Sequence, residues 1–295
     1  MKAYFHLPGL FEFYELNRAF LPLFFTHREY FYDGFELSSV YGAPADCIWG
    51  GGRVGFGEDR ADDVFALMRE YGLSPRLTFS NSLLTKEHLS DKKCNALCKK
   101  LEKSGNGGVI VHSDLLLEYL KSRFPSLYFV SSTTKVLTDF DLFLAEVRRA
   151  DFRYVVPDFR LNKAFEKLDG LTKDEKIKVE FLVNECCSVA CTDRRACYEN
   201  VSRLSLGEDC AEHVCNHCDG VHGYRFSDAM KNPSFIGVGD IVDTYLPMGF
   251  ENFKIEGRSL GSAVVFEMLL YYLTKPEYRL RVREEIYLDS TLDLF

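Results

Sequence analysis

Nothing in this chain is long and apolar enough to cross a bilayer. A membrane helix needs roughly 20 apolar residues, and the two best stretches, 19–25 and 264–273, fall well short. The opening residues carry Lys2 and His6 and lack the sustained apolar run of a secretory signal. A basic excess is missing too. The net charge is -8 and the pI is near 5.5, which argues against bulk nucleic-acid binding through a basic face. Several catalytic signatures are absent. No G-x-G-x-x-G sits in a strand–turn–helix frame, and there is no H-E-x-x-H and no G-x-S-x-G. Dinucleotide-binding, zincin and α/β-hydrolase readings therefore lack support. Internal repeats, low-complexity tracts and long linkers are also lacking. The expectation is a cytoplasmic protein of one domain, 1–295, whose thiols stay reduced.

What the chain does have is cysteine in one place. It holds ten, and seven lie between 183 and 218. Cys187 and Cys191 are four apart, and Cys215 and Cys218 form a C-x-x-C. Two close pairs joined by a loop can bring four thiolates around one zinc ion or one iron–sulfur cluster. Spacing alone does not separate zinc from a cluster. Cys210 is a reserve ligand. Cys186 should point the other way if the strand before it continues. Cys197 is expected in a helix, and Cys94 and Cys98 are expected to pack an outer helix, since cysteine also serves as a small buried hydrophobe. The role of Cys47 is open. His213, His217 and His222 are weaker ligand candidates.

The rest of the chain has a rhythm. Short apolar strands are expected at 2–7, 35–41, 76–79, 108–111, 127–130, 154–157, 178–183 and 252–255. Helical patterns fall between them, at 10–31, 62–71, 87–103, 114–124, 140–150, 163–168 and 262–273. Pro22 should kink or split the first of these. The glycine-rich tract 48–57 reads as a plain loop. Strands alternating with helices over this length predict an α/β fold, a TIM-like (β/α)8 barrel. The stretch 193–245 breaks the rhythm. It is expected to be a cysteine-containing insertion near the C-terminal face, bringing ligands over the barrel mouth.

In such a barrel the C-terminal ends of the strands share one face, and active sites lie there. Almost every expected strand ends in a polar cluster. Ser113, Asp139 and Asn162 suit helix N-caps. Asp158, Arg160, Glu185, Glu256 and Arg258 are the catalytic or substrate-binding candidates. Asp158 with Arg160, and Glu256 with Arg258, suit structural ion pairs equally well. Glu185 adjoins the expected ligands and could tune them.

Three stretches carry a family resemblance: 106–113 (NGGVIVHS), 184–191 (NECCSVAC) and 249–258 (GFENFKIEGR), the last being the most specific. The chain resembles the collagenase-like peptidases of unassigned catalytic type, the U-thirty-two peptidase family with its UbiU- and UbiV-like proteins. That resemblance implies a TIM-like barrel with a [4Fe–4S] cluster on four cysteines. It also implies an enzyme of oxygen-independent hydroxylation, or of RNA or small-molecule tailoring, rather than a peptidase. Two features depart from the family pattern. Cys187 and Cys191 are closer than the longer Ser-Gly-x-Cys spacing, and Cys210, Cys215 and Cys218 compete for the remaining positions. The substrate is open among a small molecule, a peptide and RNA. The alternative readings are a partner-binding subunit with structural zinc or a structural cluster, motivated by the aromatic-rich segment 11–31, and a peptidase.

Overall fold

The computed structural model describes residues 1–51, 60–211, 213–215 and 225–291. Its strands are β1 (Ala3–Pro8), β2 (Phe35–Gly42), β3 (Ser74–Phe79), β4 (Gly108–Val111), β5 (Tyr128–Ser131), β6 (Phe152–Val155), β7 (Glu180–Leu182) and β8 (Asn252–Lys254). All pair in parallel, in the order β6-β5-β4-β3-β2-β1-β8-β7. The two ends of the sheet meet at Val155 and Val179, where the Val155 N–H donates to the Lys178 carbonyl at 2.8 Å. Eight parallel strands that meet again, with helices between them, make a TIM-like (β/α)8 barrel. Each strand expected from the sequence is present, with ends shifted by two residues or fewer.

Alternation along each strand sorts the side chains into two cores. The outward set packs against the helices and is rich in phenylalanine: Phe5, Phe35, Phe79, Phe129, Phe181 and Phe253 are buried there. Each such ring contributes roughly 1.5–3 kcal/mol by leaving water. The inward set includes Tyr41, Ile110, Val130, Val156 and Leu182, and with them a group of buried charges described below.

Local chemistry explains most helix starts. Ser113 accepts from the Leu116 N–H, and Asp139 from the N–H groups of Asp141 and Leu142. Asp91 caps Lys92–Lys103 by accepting from the Cys94 N–H at 2.7 Å. That cap divides the expected helix 87–103 into a short turn, Glu87–Ser90, and the helix proper. Asn162 is not an N-cap. Its amide instead donates to the carbonyls of Leu182 and Ser234, tying 225–245 to the end of β7. The helix Tyr14–Thr26 runs unbroken through Pro22. The carbonyl that Pro22 leaves without a partner belongs to Arg18, on the exposed face where water can reach it. The aromatics of 11–31 are mostly core: Phe11, Phe13, Phe20, Phe24 and Phe31 are buried. That segment therefore gives no support to an interface.

The described part of 193–245 lies against strand ends. The carbonyl of Ser202, in the helix Arg194–Ser205, accepts from the Asn81 amide, and its hydroxyl accepts from the Ser82 N–H. The Asn232 amide donates to the Cys187 carbonyl, and the Ile236 N–H to that of Val183. Asn81 also holds the start of the glycine-rich tract through the carbonyls of Ile48 and Trp49. A Cβ on Gly51 would fall 2.5 Å from the Asn81 backbone, so this glycine serves close approach. The remainder of that tract, and Cys218, His217 and His222, lie outside the described residues.

Candidate functional site

The barrel lumen carries more charge than its strands suggested. Arg76 on β3, Glu180 on β7, Lys254 on β8 and His6 on β1 are all buried. Arg76 Nη1 donates to Glu180 Oε2 at 2.5 Å, and Lys254 Nζ to Glu180 Oε1 at 3.2 Å. Arg76 also donates to the Tyr128 hydroxyl at 2.8 Å and lies over the Tyr154 ring. Lys254 stands 3.9 Å from the centre of the Tyr41 ring. Burial opposes the charge on Glu180, but Arg76 and Lys254 outweigh it and hold the carboxyl well below its usual range. Burial lowers Lys254 to about 8, against the pull of Glu180. Burial, with Arg76 beside it, lowers His6 to about 3. The 3.5 Å contact from His6 Nε2 to Glu180 is therefore made by a neutral ring, not an ion pair. His6 is oriented by Ser39 and Asn252.

Above Lys254 a cavity of about 90 Å³ opens at the C-terminal mouth. Tyr41, Thr78, Ile110, Leu182 and Lys254 form its inner part, and Ser80, Ser132, Tyr198, Glu256 and Arg258 lie around it. The side chain of Asn184, just after β7, donates to the Glu256 carbonyl and accepts from the Glu256 N–H at 2.7 Å. That clamp sets the ends of β7 and β8 side by side. Arg258 pairs with Glu12, which follows β1, at 2.7 Å.

The cysteine loop is held by a second ionic group. Glu185 is buried. Its Oε1 accepts from the N–H groups of Cys186 and Cys187, and its Oε2 from Arg194 Nη2 at 2.5 Å. Arg194 Nε lies 3.5 Å from Asp158. Asp158 in turn takes a two-pronged contact from Arg160, at 2.6 and 3.1 Å, and Arg160 Nη1 donates to the Cys191 carbonyl. Asp158 and Arg160 thus form an ion pair that shapes the cysteine loop. Cys187 and Cys191 are buried together against Phe159. Burial pushes the Cys187 thiol up to about 12, and Arg194 pulls it only partly back.

Cys210 and Cys215 are half-buried, and the Asn200 amide lies 3.7 Å from the Cys210 sulfur. One tetrahedral zinc would hold its sulfurs roughly 3.8 Å apart, given Zn–S bonds near 2.3 Å. Among the described residues no three of Cys187, Cys191, Cys210 and Cys215 gather that closely. A cluster spreads its ligands over separate irons and asks less of them. The donor chemistry of the Cys187–Cys191 pair fits it, with two adjacent sulfurs in an apolar shell beside Arg194 and Arg160. The group that does gather is different: Glu185, Cys186 and Glu256 bring one ligand atom each within 4.8 Å. It fits a cation poorly, because both oxygens of Glu185 already accept hydrogen bonds. Cys47 and Cys94 are hydrogen-bonded in the core, with Cys98 near them. Cys197 lies in the helix Arg194–Ser205.

With this geometry in view, known proteins were compared. No family model and no curated protein matches the chain. Among solved structures, the U32 peptidase Mk0906 superposes with a TM-score of 0.56 at 14% identity, over 87% of this chain and 93% of that one. What the two chains share is the fold, a (β/α)8 barrel. The spore cortex-lytic enzyme SleL of Bacillus cereus aligns over 90% of this chain and 74% of its own, at 10% identity and a TM-score of 0.40. The barrel implied by the sequence resemblance is the barrel found.

Sequence reasoning missed Glu180, Lys254, Arg76, His6, Arg194 and Glu12. A signal was available for three of them. Arg76, Glu180 and Lys254 are charged residues inside strands that should be buried on both faces, and a buried charge requires a partner. No helix of the described residues is long and apolar enough to cross a membrane.

Proposed function

We propose that this chain is an enzyme working at the barrel mouth with an iron–sulfur cluster. Cys187 and Cys191 supply two ligands, and the others come from Cys210, Cys215 and Cys218. The observation that carries the reading is the adjacent, buried Cys187–Cys191 pair, which follows β7 and is backed by Arg194 and Arg160. A bound cluster supplies one-electron chemistry. The chain's own residues do the rest. Glu185 fixes the backbone of the cysteine loop, Arg194 and Arg160 offset thiolate charge, and the cavity receives and shields the substrate. The reaction suggested by the sequence resemblance is oxygen-independent hydroxylation or tailoring of RNA or a small molecule. Peptide hydrolysis, the activity for which the U32 peptidase Mk0906 is named, is the alternative.

Anaerobic purification tests this. A brown protein absorbing near ~400 nm, with matching iron and sulfide, is expected. Cys187→Ala and Cys191→Ala should lose the iron, and Cys94→Ala should keep it. A colourless protein with one tightly bound zinc would overturn the cluster reading.

A further inference from the structure

Three buried polar groups at the mouth lack hydrogen-bond partners among the described residues: Thr78 Oγ1, Ser80 Oγ and Arg258 Nη2. All three residues line the same cavity. An unmet buried donor is costly, and native proteins rarely keep one without a use. Arg258 gives its Nε to Glu12 and has Nη2 left over. Lys254 gives one hydrogen bond to Glu180 and faces the Tyr41 ring, so its third donor direction remains. Two cations and two hydroxyls with donors to spare ask for an acceptor-rich group. A carboxylate answers that need, with two oxygens on one planar group. Glu256 lines the same cavity, so the far end of the guest should carry a donor rather than a second bare acceptor. A cavity of about 90 Å³ suits a compact guest, between the apolar walls of Ile110 and Leu182.

We infer that the mouth cavity binds a compact carboxylic acid bearing a hydroxyl or amino donor, held by Arg258, Lys254, Thr78 and Ser80. The inference rests on the reading that this protein works at its barrel mouth, and it names what enters.

Isothermal titration calorimetry of the whole chain is the test, with L-lactate, L-serine, inorganic phosphate and neutral L-lactamide as probes. Saturable binding of lactate, serine or both is expected, and the stronger of the two separates a hydroxy acid from an amino acid. Arg258→Gln should weaken that binding about tenfold to hundredfold. That variant leaves Glu12 unpaired and could unfold, so Thr78→Val and Ser80→Ala provide the second measure. Each removes a hydroxyl with no partner among the described residues. The melting temperature should hold or rise, while binding weakens about threefold to tenfold. Binding of neither acid, equal binding of lactamide, or binding of phosphate alone overturns the inference. So does a loss of stability in Thr78→Val and Ser80→Ala with binding unchanged. Cys187→Ala separates the two readings, since it should lose iron and still bind the acid.

Discussion

The lumen and the cysteine loop solve the same problem by opposite routes. Both bury ionised groups beside the mouth. In the lumen, Glu180 is met by Arg76 and Lys254, with His6 beside it. These residues come from four strands and span nearly the whole chain. In the loop, Glu185 is met by Arg194 and by the N–H groups of its own next two residues, all within ten positions. The lumen group cannot form until the barrel closes. The loop group needs little more than one turn of backbone and the start of one helix. The first should therefore report on global stability, and the second on local order and on what the cysteines hold.

The largest effect should come from breaking the lumen. Glu180→Ala strands Arg76 and Lys254 without their shared counter-ion, and should cost about 3–5 kcal/mol in urea unfolding. A cost below about 1 kcal/mol would show that water or another group already serves these cations, and the contrast would collapse.

Acid should attack the lumen next. His6 is held at about 3 against an ordinary 6.5, so the unfolded chain takes up its proton first. The Glu180 carboxyl is also held below its ordinary value, again favouring protonation of the unfolded chain. Both give the same sign: stability is full above pH 6.5 and falls as the pH drops from there toward 3. Denaturant midpoints between pH 7 and 4 would measure this. Replacing His6 with Asn should flatten the upper part of that slope, and an unchanged slope would assign it elsewhere.

A smaller effect on the fold is expected from the loop. In metal-free protein, Cys187→Ala should cost about 1 kcal/mol, the burial of one small side chain. A loss as large as that of Glu180→Ala would mean that the loop is part of the global core. The smallest effect serves as a reference outside both regions. Ser113→Ala removes a helix cap and should cost about 0.5–1 kcal/mol, with no change in iron content or acid sensitivity.

The chain order alone was enough to expect eight strands, the helices between them and the barrel. These depend on local apolar pattern and on nearby caps such as Ser113 and Asp139, which a linear reading can see. The cysteine loop was legible for the same reason, because 184–191 keeps its chemistry within a few residues. Asp158 and Arg160 were visible as neighbours that could pair or bind substrate, and the structure shows the pair. Tertiary structure alone decided the rest. Glu12 meets Arg258 across the chain, and His6, Arg76, Glu180 and Lys254 converge inside the barrel. The hydroxyls of Thr78 and Ser80, without partners among the described residues, acquire meaning only at the mouth. Buried charge is a long-range matter: its cost is met by whichever partner the closed barrel brings within reach, and that partner leaves no mark on the residues beside it in sequence.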